Sequence, residues 1–584
     1  MASVLPNWLH RWSGRSFFLS ADRESASAAS RLRRFWARLE SLESRTLLSD
    51  GLWVTQVTPL GSSAKPFDKL EIAFSQDVAA GSLTIEDVGV IGPGGAVLPS
   101  GINRLDPRRY ELDLTGKTGS GLYRLGVGPS ISAEDGTLMD QDRDGMAGEA
   151  GEDGLRIVVT NVSLSLAEGD MTYDGWGLLA YKTALTLAGN HGFDQIELWA
   201  GATATVNNAA TLDARLVSIN GASTLSLNGG LAVRVTDAIT LEGNSVIICR
   251  GADTTDPIDN VWVGKGVSID AGSVSIAAGS KITADGQGYA GMSGVYRGLG
   301  RGPGGGVRVG GGGGGGGGSY GGTGGRNNEG NSYGGPTYGD PFRPTELGSS
   351  GSMHEWDASG AGGGAIRLNV SGMLTLDGMI SANGGNGASH SGGGSGGSIW
   401  VTTGGLSGAG RFEAKGGNTG DWAGGSGGGG RVAVYYNDGA GFSGFTTSTA
   451  AGATGGYNGT VGSVAFFDTS IANLHMQVFE QLSLPNDTKL DLGALTLDDN
   501  ASMRLGGGSE LTVGAMTVKG NSTLTLGGKN TVDPVNGIWA GEGVSIDAGS
   551  VSIAAGSKVT ADGQGYAGMS GVYRGLGRGP GGGV

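Results

Sequence analysis

Residues Gly264–Val307 read GKGVSIDAGSVSIAAGSKITADGQGYAGMSGVYRGLGRGPGGGV, and Gly541–Val584 repeat that string with only Glu542 for Lys265 and Val559 for Ile282. Flanking Asp256, Pro257 and Trp262 return in the same register as Asp533, Pro534 and Trp539. A module has been copied, so the 584-residue length is a poor counter of separate cores. Within the string, Val274-x-Ile276 alternates with small or polar residues, the period-two pattern of a strand with one buried face. Ile282-Thr283-Ala284-Asp285-Gly286 then closes the unit: alternation sets the isoleucine and alanine on one face, and glycine turns the chain.

The same apolar-x-Ala-x-Gly motif stands at Ile380–Gly384, Phe412–Gly416 and Val559–Gly563, the first two preceded by Leu374-x-Leu376 and Leu406. Upstream runs such as Ala184–Leu187, Leu216–Ile219, Leu225–Leu227 and Val246–Ile248 are equally short and are parted by Asn-Gly, Gly-Asn or Ala-Gly turns. Rungs that bury a face only against their neighbours are solenoid rungs, and this rhythm predicts a right-handed parallel β-helix. Each motif is followed by an insertion, Gly286–Ala365, Gly384–Gly397 or Gly416–Gly430, so the glycine-rich segments leave from equivalent corners. Two readings of them stay open. They are flexible loops, because glycine gives up the most backbone entropy on ordering, or they stack in a contact that any Cβ would obstruct.

Glycine accounts for 121 residues without the every-third spacing of collagen, and the 38% of hydrophobic residues lies in strand-like runs outside the glycine blocks. The net charge of -15 excludes a nucleic-acid partner, since no basic stripe follows the N-terminus. Cys249 stands alone and aligns with Leu526 of the second copy, which makes it a core residue rather than a nucleophile. The five histidines are scattered, and no Cys/His spacing has the form of a zinc site. No apolar run is long enough for a transmembrane segment.

Four regions follow. Residues 1–50 are rich in Arg and Ser, with Leu32, Phe35, Trp36, Leu39 and Leu42 at helical spacing. Within them Leu42-Glu43-Ser44-Arg45-Thr46-Leu47-Leu48, preceded by Arg31, Arg33, Arg34 and Arg38, resembles the LEPR-XLL N-terminal region of planctomycete-type surface proteins, with Ser44 where proline is common. The resemblance implies export and an extracellular or cell-surface location. Residues 51–160 hold period-two runs bounded by Gly, Pro, Asp or Ser, which predict an antiparallel sandwich. The strand Leu70–Ser75 with its acidic closing loop resembles the bacterial Ig-like domains of surface-layer proteins and adhesins. Residues 161–467 form β-helix module 1, and 468–584 form module 2, which stops in the glycine-rich cassette. Gly362–Leu368, Gly396–Val401 and Gly429–Tyr436 resemble the glycine-rich regions of large bacterial adhesins, which implies extracellular glycans, envelope or matrix components as partners.

Two places carry candidate chemistry. Asp140-Gln141-Asp142-Arg143-Asp144-Gly145 opens like a calcium loop, with alternate carboxylates and a glycine for the turn. The twelfth position is Gly151, not an acid, so Asp140, Asp142, Asp144 and Glu149 are set down as candidate calcium ligands, against the alternative of a solvated acidic turn. Glu355, Trp356 and Asp357 are candidate ligand-binding residues, through stacking of the indole on a sugar ring, against the alternative of a loop anchor. The G-x-S-x-G strings Gly393–Gly397 and Gly424–Gly428 lack the strand-turn-helix setting of a nucleophile. No catalytic residue is assigned. A structural or adhesive surface protein is the expectation, and a polysaccharide lyase or hydrolase is the alternative, with Asp253, Asp256 and Asp259 as its acids.

Overall fold

The computed structural model describes residues 51–61, 67–294, 298–309, 313–354, 357–421, 423–536, 538–567 and 578–580. The LEPR-XLL-like stretch, Glu355 and Trp356 lie outside the described residues. The chain is all-β with long parallel sheets. Among the described residues the one helical element is the 3₁₀ turn Ile85–Asp87, and no helix is long and apolar enough to cross a membrane.

Two parallel ladders run through the first half. The long strands Gly177–Tyr181, His191–Trp199, Thr211–Ile219, Ala232–Leu241, Val267–Ile276, Ala365–Leu376, Ser398–Gly408, Arg431–Phe442 and Ser463–Asp468 each pair with the next. The short strands Ala184–Ala188, Thr203–Asn207, Thr224–Leu227, Val246–Cys249, Lys281–Thr283, Met379–Ser381 and Arg411–Glu413 do the same. Register converts sequence alternation into stacks. Ile196, Val217, Ile239, Val274, Leu374 and Leu406 lie one above the next, as do Leu225, Ile247, Ile282, Ile380 and Phe412. All are buried, each contributing about 1.5–3 kcal/mol of apolar burial. Cys249 stacks on Leu227, fully buried, and burial pushes its thiol up to about 12. Register shifts at Ala271/Val274 and Val370/Met373 interrupt the long ladder partway along these strands.

The glycine-rich inserts are packed solid. In Gly392–Gly397 the backbone N–H groups address three neighbours in rotation. Gly392 and Ser395 donate to Ser352 and Ser349, Gly393 and Gly396 to Gly425 and Gly428, and Gly394 and Gly397 to Gly385 and Ala382, all at 2.7–3.0 Å. Gly425–Gly430 repeats the cycle, against Gly315 and Gly318, Tyr457 and Thr460, then Gly417 and Ala414. A three-residue period belongs to a polyproline II helix, whereas a strand, of period two, reaches only two neighbours. Every residue from Ser391 to Ile399 and from Ala423 to Val434 is buried, so the inserts form a bundle of such helices along one flank. Space, not backbone angle, demands glycine here: a Cβ on Gly394, Gly427 or Gly429 would lie 1.9, 1.9 or 1.7 Å from a neighbouring carbonyl oxygen.

Both ends of this solenoid-like body share a sheet with another core. Upstream, two antiparallel sheets, one formed by Val54–Leu60, Lys69–Phe74, Gly101–Arg104 and Arg109–Asp113, the other by Val88–Gly92, Leu122–Val127 and Leu155–Thr160, surround a core that includes Phe67, Ile72, Leu112 and Leu125. Leu155–Thr160 also pairs parallel with Gly177–Tyr181, so the upstream antiparallel sheet continues into the parallel ladder. Ile157, Val159, Leu179 and Tyr181 point into the upstream core, while Val158, Leu178 and Ala180 point into the coils. Downstream, Ser463–Asp468 turns back and pairs antiparallel with His475–Val478, which starts a second parallel ladder through Lys489–Leu497, Glu510–Val518 and Ser545–Ile553. Strand direction reverses, and so does the inward face. Val464 and Phe466 belong to the first core, but Ala465 and Phe467, level with Val478 and Met476, belong to the second. Tyr435 stacks on Phe467 at 4.3 Å and 11° on that second face.

Candidate metal centre

The acidic loop sits against the first of these shared sheets. Asp140 N bonds Leu52 O at 2.8 Å, and the Gln141 side chain pairs with both N and O of Val54, which anchors the loop to the upstream core. Arg143, at φ +64°, and Gly145, Gly148 and Gly151, at +91°, +90° and +106°, supply its turns. Asp140, Asp142 and Asp153 each turn a carboxylate oxygen to within 4.8 Å of the others. Asp140 is 6% exposed and Asp153 is 0% exposed. One oxygen of each is used locally, Asp140 Oδ2 accepting from Gly145 N and Asp153 Oδ2 from Glu149 N, but both Oδ1 atoms are buried without a hydrogen-bond partner. Burial raises the Asp140 carboxyl, with neighbouring Asp153 and Asp142 adding to it against the Gly145 and Arg143 amides.

Of the four sequence candidates, Asp140 and Asp142 come together in this cluster. Asp144 caps the Met146 amide at 2.8 Å, and Glu149 gives its backbone N–H to Asp153. Glu149 is raised by desolvation and by the acids around it. Asp153 is the residue that motif spacing missed; its signal is an acid placed one glycine ahead of the apolar run Leu155–Val159. Three carboxylates with two orphaned oxygens form a hard-oxygen donor set. Oxygen donors of this kind, close enough to share one ion, are what calcium takes.

The loop also reaches the coils. Arg143 lies 4.6 Å over the Trp53 ring and forms an ion pair with Asp237. Asp237 also meets Arg215 at 3.2 Å, and Arg215 binds Asp194 at 2.6 Å. Burial opposes the Arg215 charge, yet Asp194 and Asp237 raise the group overall. Beside this chain Glu197 is fully buried, accepting from Trp199 Nε1 at 3.0 Å and Val57 N at 3.4 Å. Burial pushes its carboxyl up to about 7.

Elsewhere, Asp357 is half exposed beside His354, and its carbonyl accepts from Ser391 Oγ at 2.7 Å. Ser395 and Ser426, from the G-x-S-x-G strings, are fully buried in the glycine bundle, with hydroxyls donated to Ser349 O and Gly455 O. Asp253, Asp256 and Asp259 are exposed, Asp253 pairing with Lys265 at 3.4 Å, and none belongs to a group of converging ligand atoms among the described residues. The fold and this site define an all-β protein with long, solenoid-like parallel sheets and an acidic cluster where the upstream sheets join them. No family model, no curated protein and no solved structure matches the chain.

Proposed function

We propose that the chain is an exported, cell-surface structural and adhesive protein, in which an Ig-like sandwich carries right-handed parallel β-helix modules that bind extracellular glycans, envelope or matrix components. The observation that supports this most is the glycine bundle: polyproline-II-type tracts whose central residues, Ser391–Ile399 and Ala423–Val434, are buried and hydrogen-bonded on three sides, which stiffens one flank of the protein. The acidic net charge favours cationic or neutral partners over nucleic acid. Calcium bound by Asp140, Asp142 and Asp153 neutralises the buried carboxylates and locks the sandwich onto the first coils, a suitable arrangement where calcium is about 1 mM.

The test is the full chain presented to a panel of acidic and neutral polysaccharides with calcium present. Saturable binding without release of reducing or unsaturated ends is the expected result. Turnover of any member would replace this reading with the enzymatic one.

A further inference from the structure

The second place where ligand atoms converge lies at the outer end of the glycine bundle. His354 ends the buried tract Leu347–Met353 of the first insert, Asp357 follows it, and His390 comes from the second insert, stacked beside it. One ligand atom from each of the three lies within 4.8 Å of the others. The imidazoles stack at 4.9 Å with 30° between planes. His354 Nδ1 lies 3.9 Å from Asp357 Oδ2. A fourth group comes from the third insert: Asp421 stands 3.1 Å from His390 Nδ1 and accepts the His390 amide at 3.2 Å.

The backbone holds these groups in place. His354 N donates to Ser391 Oγ at 2.8 Å, Ser391 Oγ donates to Asp357 O, and the His390 carbonyl accepts from Gly315 N at 2.7 Å. His390 adopts φ +61°, a left-handed conformation uncommon for a residue with a side chain and a form of strain that collects at functional positions. Two imidazoles and a carboxylate are a borderline nitrogen–oxygen set that suits zinc better than calcium or magnesium. A carboxylate on the far nitrogen of a ligating histidine fixes its tautomer, and Asp421 is placed for that role, leaving Nε2 to donate its lone pair.

We propose that His354, Asp357 and His390 bind a zinc-class divalent transition-metal ion, with Asp421 orienting His390, so that the metal clasps three successive inserts at the open end of the bundle. The site is independent of the adhesive reading and of the calcium cluster.

The experiment titrates chelator-stripped full-length protein with Zn²⁺ alone, and separately with Co²⁺ as a spectroscopic probe. The wild type is expected to take up about one equivalent tightly, and Co²⁺ to give the visible absorption of a nitrogen–oxygen site of low coordination number. His354→Gln and His390→Asn are each expected to weaken binding at least tenfold; Asn is chosen because it tolerates the left-handed backbone. Asp421→Asn should weaken it about 10- to 100-fold. Asp153→Asn should leave it unchanged. Far-UV circular dichroism of the metal-free variants separates loss of ligands from loss of fold, with His354→Gln, which keeps ordinary backbone, as the second arm should His390→Asn not fold. Zn²⁺ uptake that survives in the His354→Gln/His390→Asn double variant, or a wild type that takes up none, overturns the proposal.

Discussion

A methyl group on Gly394 would stand 1.9 Å from Ala361 O, and one on Gly192 would meet nothing within 4 Å, although both glycines lie in ordered backbone. Gly394→Ala therefore forces tracts apart that are hydrogen-bonded on three sides, an overpacking cost of about 1–3 kcal/mol, while Gly192→Ala should move stability by less than about 0.5 kcal/mol. Thermal denaturation of the pair measures the contrast; equal melting temperatures would mean the bundle is not packed as described. Glu197 makes a second prediction at this scale. Its folded carboxyl titrates near 7, above an ordinary value of 4.5, so between those limits the native state holds a proton that the unfolded state has lost. Stability then falls as pH rises through that window, by about 1.4 kcal/mol per unit, and levels off above it. Glu197→Gln removes the charge and keeps one acceptor oxygen, enough for Trp199 Nε1 or Val57 N but not for both. It should flatten the pH dependence of the melting temperature from 5 to 7 and melt higher than wild type at pH 8. A wild-type melting temperature that rises across the window would contradict the buried carboxyl.

Among elements, the duplicated strands provide an internal experiment, because one sequence occupies two environments. Val274 and Ile276 are 1% and 0% exposed beneath the next coil, whereas Val551 and Ile553, their counterparts, are 52% and 48% exposed. Ile276→Ala should cost about 2–5 kcal/mol and Ile553→Ala less than about 1, read as melting-temperature shifts of the single variants. Similar shifts would show that the second strand is covered in solution. The ladders themselves were legible in the sequence: alternation set Val274, Leu374 and Leu406 in one stack, and Ile282, Ile380 and Phe412 in another. The bundle was only half legible, as one of two open readings, because glycine has no side chain with which to write a period. Its three-residue rhythm exists only in backbone hydrogen bonds. The shared strands left a signal in broken alternation, Leu178-Leu179-Ala180-Tyr181 and Val464-Ala465-Phe466-Phe467, the continuous apolar run of a sheet buried on both faces. His354 and His390 left none, since their meeting depends on how two inserts register on successive coils.

For the whole molecule, the proposed calcium site bears on how the upstream unit is held. Without a cation, Asp140, Asp142 and Asp153 repel one another in a largely buried site; with calcium, that repulsion becomes coordination. At a calcium concentration a hundredfold above the dissociation constant the native state should gain about 2.7 kcal/mol. Asp153→Asn should remove the calcium-dependent rise in melting temperature, yet leave the metal-free protein as stable as wild type or more so. A calcium response that persists in this variant would place the ion elsewhere. Sequence spacing brought Asp140 and Asp142 to the site but not Asp153, because closure of the loop is set by the Gly148 and Gly151 turns rather than by a fixed ligand interval.

The wall formed by Arg431–Phe442 and Ser463–Asp468 has a further consequence for how such a chain can lengthen. An ordinary coil touches only its two neighbours, so a gene segment encoding it can be copied in tandem and the copy finds its own cover. The wall has no outer face to spare: Ala433, Tyr435, Ala465 and Phe467 lie beneath the second ladder while Val432, Val434, Val464 and Phe466 serve the first. A copy of that segment by itself would present a greasy sheet to water. Recombination breakpoints that survive selection should therefore spare the strands that belong to two cores.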